Sequence, residues 1–140
     1  MPQELSYFRL SFLSFLRDSH PNLATDTNLI AARGDAAAEA YSSAIKNGQS
    51  HDQADELACE VLYRGLLFSP YRTIVRILWD EFEKEVTPVL AEGAAVGLLP
   101  KLKDVFSKYD LSDNFEATEE YNQLYTELTG VIQILLEDGI

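Results

Sequence analysis

Apolar residues recur at intervals of three and four along most of this chain, and no long alternating β-branched run, hairpin dipeptide or internal repeat occurs. That spacing is the signature of helices with one buried face. Leu5, Phe8, Phe12, Phe15 and Leu16 mark the first, from about Gln3 to Ser19, with Tyr7, Leu10 and Leu13 widening the stripe. His20-Pro21 ends it, because the residue before a proline is pushed out of the helical region. After a short turn, Asn22 to Thr25, Asp26 or a neighbouring threonine caps a second helix, NLIAARGDAAAEAYSSAIKNG, which stops at Gly48. Gly34 inside it costs about 1 kcal/mol against alanine. The expected compensation is close backbone contact with a neighbouring helix.

Ser50-x-x-Gln53 is a capping-box pattern and opens the third helix. On a helical wheel Gln53, Glu56, Glu60 and Arg64 share one strip of roughly a quarter of the circumference. Leu57, Ala58, Cys59, Val61, Leu62, Leu66 and Phe68 fill most of the rest. So wide an apolar face predicts a central helix over 52–68, surrounded by the others. Ser69-Pro70 starts a fourth helix running to about Val86, serine suiting the cap and proline the first helical position. Ile74, Ile77, Leu78 and Phe82 form its face, flanked by Val75 and Trp79. Helices three and four should then meet at a corner with almost no loop.

Thr87-Pro88 repeats the start signal for a shorter helix to about Leu98, interrupted by Gly93 and Gly97. Pro100 breaks or kinks it, and Lys101 to Tyr109 forms another. Asp110 to Ala117 lacks periodicity, with Leu111 and Phe115 expected to pin it to the core. Thr118 caps a last helix to about Asp138, striped by Tyr121, Leu124, Tyr125, Leu128, Val131, Ile132 and Leu135. The fold class is all-α, a compact multihelical bundle of six or seven helices in a single domain, residues 1–140.

Composition narrows the setting. The N-terminal stretch is apolar enough to suggest a signal peptide, but Arg9 interrupts it, Glu4 precedes it and no small-residue cleavage site follows Leu16. The apolar runs are too short to span a bilayer. Cys59 is the only cysteine, so no intrachain disulfide forms. These features point to the cytoplasm. Net charge is −12, unevenly spread. Residues 1–76 hold seven Lys or Arg against nine Asp or Glu, whereas 77–140 hold four against fourteen. Such a chain repels phosphate backbones and anionic membranes, which disfavours direct nucleic-acid binding.

Three stretches carry a family resemblance: FRLSFLSFLRDSHP, the run VLYRGLLFS with ILWDEF after it, and LSDNFEATEEYNQLYTELTG. Together they span nearly the whole chain, which resembles the small all-helical family numbered eighteen ninety-six among domains of unknown function, found in Bacteroides-type bacteria. The resemblance implies a compact multihelical domain and a bacterial source, with members often near mobile, conjugative elements. It implies no activity and carries over no functional residues.

The residues offer little for catalysis. A di-metal bundle needs Glu-x-x-His on two helices, and the chain has none. His20 and His51 sit at helix ends, where a surface or capping role is expected. Cys59 falls on an apolar side, where a buried structural thiol is expected. No nucleophile elbow, phosphate loop or dinucleotide fingerprint is present. Arg64, Arg72 and Arg76 stand out instead. The local reading pairs Glu60 with Arg64 and Arg76 with Asp80, each four apart. The functional reading is a cationic groove for a carboxylate- or phosphate-bearing partner, with Trp79 as an aromatic anchor. The sequence therefore points to an accessory or adaptor module without a cofactor, whose partner is another protein met at Arg64, Arg72, Arg76 and Trp79. One alternative is a nucleic-acid-linked role, either through these arginines or through a phosphate-like row of carboxylates on the last helix. Another is an enzyme of unknown reaction.

Overall fold

A computed structural model describes residues 2–139, with side chains from Tyr7 onward. Among the described residues there are seven α-helices and no strand. They are α1 (Pro2–Ser19), α2 (Thr27–Lys46), α3 (His51–Tyr63), α4 (Pro70–Glu81), α5 (Ala91–Leu98), α6 (Lys103–Phe106) and α7 (Glu119–Glu137). Short 3-10 turns occupy Pro21–Leu23, Pro88–Leu90, Pro100–Leu102 and Phe115–Ala117. Most of these turns begin with proline, whose preset φ and missing N–H suit a first helical position. The chain divides into two compact units, Met1–Gly65 and Leu66–Ile140.

In the first unit α1 packs on α2 and α2 on α3. Phe8, Phe12 and Leu16, spaced by four, form the buried row of α1. The side chain of Leu5 lies outside the described residues. Tyr7 (57% exposed) and Leu10 (66%) do not widen this row as expected, but face out. The opposing surface of α2 is small: Gly34, Ala37 and Ala38 are buried. A Cβ at Gly34 would meet Arg9 Cγ at 2.4 Å, with the Arg9 backbone at 3.4 Å. The expected close approach at this glycine is therefore present. Asp26 caps α2 by accepting from Leu29 N at 3.0 Å, and Gly48 beyond its end has φ +87°.

The central, surrounded third helix is corrected. α3 opens on the expected reciprocal capping box, Gln53 N to Ser50 Oγ and Ser50 N to Gln53 Oε1, but it ends at Tyr63. Gly65 follows at φ +81°, in the left-handed region that a right-handed helix cannot continue through. The buried residues of α3 are Ala54, Ala58 and Leu62, one narrow row, and Leu57 is 39% exposed. The two leucines after Gly65 look like a continuing apolar face in the sequence, but they belong to the connection before α4. That connection, residues 64–69, replaces the expected tight corner. Arg33 of α2 closes the end of α3, donating from Nη1 to Leu62 O at 3.0 Å and to Val61 O at 3.5 Å. Its guanidinium also lies 6.0 Å from the centre of the Phe12 ring.

Two smaller corrections follow. His20 is not on the surface but buried, its ring 5.7 Å from that of Phe15. Cys59 is half-buried rather than buried; burial and then Asp55 push its thiol above the ordinary value, which favours the protonated form.

The second unit has its own core. Ile74, Ile77, Leu78 and Phe82 meet Ala91, Ala95, Leu98, Leu102, Leu124, Leu128 and Ile132. Ser69 caps α4 through Arg72 N at 2.9 Å. The helix stops at Glu81 rather than near Val86, because Phe82 leaves helical geometry and Glu85 N and Val86 N turn back to its carbonyl. Gly93 and Gly97 do not interrupt α5; both lie inside it. Phe115 does pin the loop before α7, buried against Phe68, Tyr109 and Tyr121. Thr118 does not cap α7 with its side chain. Its hydroxyl donates to Phe115 O at 2.7 Å, and Glu119 and Glu120 complement the positive helix end instead.

Candidate interaction surface

Ile74, Ile77 and Leu78 turn one side of α4 into the core, which leaves Arg72, Arg76, Trp79 and Asp80 on its outer side. Arg72 and Arg76 are one turn apart, and Trp79 is two turns beyond Arg72. The guanidinium of Arg72 lies 5.7 Å from the centre of the Trp79 ring, within cation–π range. Trp79 is 39% exposed, and its Nε1 donates to Pro88 O at 3.4 Å. This ties the indole to the 3-10 turn Pro88–Leu90, where Val89 is 90% and Leu90 63% exposed. One exposed cation, Arg72, and three exposed apolar side chains, Trp79, Val89 and Leu90, are thus linked through the Trp79 ring and its bond to Pro88 into an arginine–tryptophan strip.

Arg76 behaves differently. Its Nη1 donates to the Tyr121 hydroxyl at 3.0 Å and to Glu116 Oε1 at 3.4 Å. Tyr121, and more weakly Glu116 and Asp80, hold its guanidinium above the ordinary arginine value, so it stays charged. The expected Arg76–Asp80 pair is thus replaced by partners from the loop before α7 and from α7 itself. Asp80 and Glu81 instead accept from the Tyr125 hydroxyl, at 3.4 and 3.0 Å. Arg64 stands in the first unit, exposed just past the end of α3; among the described residues it makes no ion pair, so the expected bond to Glu60 is not formed.

The carboxylate row expected on α7 is broken in its middle. Glu127 accepts from Lys108 Nζ and, at 2.9 Å, from the Tyr109 hydroxyl, and these bonds lower its pKa. An open cavity of about 300 Å³ lies between Glu81, Phe82, Glu85, Gln133, Leu136 and Glu137. In the first unit the Tyr41 hydroxyl and His51 Nδ1 are 2.5 Å apart at the start of α3. Among the described residues no group of three or more His, Cys, Asp or Glu could hold a metal ion, and no helix is long and apolar enough to cross a membrane.

Val89 and Leu90 were not singled out by the sequence. An apolar pair after Thr-Pro looks like a helix start; in the structure it lies in a 3-10 turn with no buried residue. The partners of Arg76 were missed for another reason: they lie 40 and 45 residues away in the chain.

Fold and surface together define a small all-helical protein with an exposed arginine–tryptophan strip. It belongs to the DUF1896 family, a domain of unknown function whose family model matches residues 1–139. Its structure is similar to the crystal structure of protein PG0816 from Porphyromonas gingivalis, with a TM-score of 0.94 and 46% identity over 98% of this chain and 93% of that one. No curated protein matches.

Proposed function

We propose that the chain is a non-enzymatic accessory module that works by protein–protein contact through the outer side of α4 and the adjoining Pro88–Leu90 turn. One observation carries this reading: Trp79, Val89 and Leu90 are large, apolar and exposed, and the Arg72 guanidinium lies within cation–π range of the indole. Tryptophan and arginine dominate the binding energy of protein interfaces, because each offers a large, preorganised surface with a polar handle. Bond formation between Trp79 and Pro88 holds the strip in place before a partner arrives, which lowers the ordering cost of association. The acidity of residues 77–140 disfavours a phosphate-rich partner at the same surface.

The test is capture from a lysate of the native host, with and without nuclease, comparing wild type with Trp79→Ala and Val89→Asp. A defined protein that survives nuclease and is lost with both variants supports contact through this surface. Proteins retained equally by all three forms would remove the strip from consideration. Material lost with nuclease would favour the nucleic-acid-linked alternative.

A further inference from the structure

Resting on the reading just given, we infer that the strip takes a partner segment in which a single carboxylate stands beside large apolar side chains. The argument starts from the two arginines of α4. Arg76 is committed to Tyr121 and Glu116. Arg72 makes no ion pair among the described residues; its guanidinium carbon lies 5.7 Å from the centre of the Trp79 ring, and it is exposed. Among the described residues no side chain or backbone carbonyl accepts from that guanidinium, so its N–H donors remain available, and their fork matches the two oxygens of a carboxylate.

The rest of the strip sets the remainder of the ligand. Val89 and Leu90, which follow the Pro88 bonded to Trp79, present exposed apolar area, so the partner must supply apolar side chains there. A wholly apolar partner would cover Arg72 without neutralising it, and an uncompensated buried charge is strongly unfavourable. A basic partner would meet Arg72 head on. A densely anionic one would meet Asp80 beside Trp79, Glu92 bonded to the Tyr71 hydroxyl, and the −10 balance of residues 77–140. One carboxylate flanked by apolar groups satisfies all three constraints.

Panning a display library of short random peptides against the intact protein tests this. Trp79 is the only tryptophan, so its emission reports contact directly. Selected peptides should pair Asp or Glu with Leu, Ile or Phe, and those without tryptophan should shift Trp79 emission on binding. Arg72→Ala should weaken them by roughly tenfold or more, the scale of one charge-assisted bond, while Arg72→Lys restores part. Peptides that need Trp79 and Val89 but bind Arg72→Ala equally well would overturn the carboxylate assignment and leave the surface standing. Failure to select any peptide whose binding depends on Trp79 or on Val89 would overturn both. Circular dichroism of each variant separates loss of binding from loss of fold, and Val89→Asp serves if Trp79→Ala does not fold.

Discussion

A Cβ on Gly34 would sit 2.4 Å from Cγ of Arg9, so α1 and α2 touch where no further side chain fits. Substituting alanine sets two effects against each other. Helix propensity gains about 1 kcal/mol, while forcing a methyl into a filled site costs roughly 1–3 kcal/mol. Gly34→Ala should therefore destabilise by up to about 2 kcal/mol in urea unfolding. In an Arg9→Ala background the clash is gone and the same change should become stabilising. Purely additive effects in this double-mutant cycle would refute the contact.

Leu62 and Leu57 test the narrow buried row of α3. Leu62→Ala removes a fully buried side chain and should cost roughly 2–5 kcal/mol. Leu57→Ala, at a substantially exposed position, should stay within about 0.5 kcal/mol. Comparable losses at both positions would restore the picture of an enclosed helix.

Arg33→Met keeps an unbranched apolar stem and deletes the donors to Leu62 O and Val61 O. A loss of about 1–3 kcal/mol is expected, since half-buried carbonyls lose their partner. Unfolding midpoints identical to wild type would mean that water replaces the guanidinium at no expense.

Tyr125 gives a pH dependence. Burial first, and then its bond to Glu81, hold the phenol well above its ordinary value of 10.0. Its contribution to stability is complete while the unfolded phenol is protonated. As pH rises past 10, the unfolded chain loses the proton first, and the contribution declines until the folded phenol also ionises. Tyr63 and Tyr109 are raised too and act in the same direction. Urea midpoints from about pH 9 to 11 should therefore fall, and Tyr125→Phe should flatten the fall without abolishing it. An unchanged slope would show that Tyr125 titrates normally.

What was legible in the sequence was local. Asp26, Ser50 with Gln53, and Ser69 with Pro70 act on backbone groups within a few residues, so their patterns sufficed. Gly34 was legible because a glycine among alanines needs a reason, and the approach of Arg9 supplies it. The end of α3 was not, because apolar residues lie on both sides of Arg64-Gly65 and the positive φ of Gly65 leaves no pattern in neighbouring residues. Arg72 and Trp79 share one side of α4 by helical spacing alone. Whether Arg76 met Asp80 or Tyr121 depended on where α7 lies, and no spacing within α4 contains that. The same limit hid Val89 and Leu90, whose exposure depends on how their turn sits on the core and not on their type.

The first unit joins three helices that follow one another in sequence, with short connections between them. Closing short loops is entropically cheap, and chains rich in nearby contacts fold quickly. Phe8, Phe12, Leu16, Ala37, Ala58 and Leu62 are all synthesised before residue 66. As the chain emerges from the ribosome, these helices can begin to collapse while the second half is still being translated. The aromatic side chains of α1 then spend little time exposed to other nascent chains.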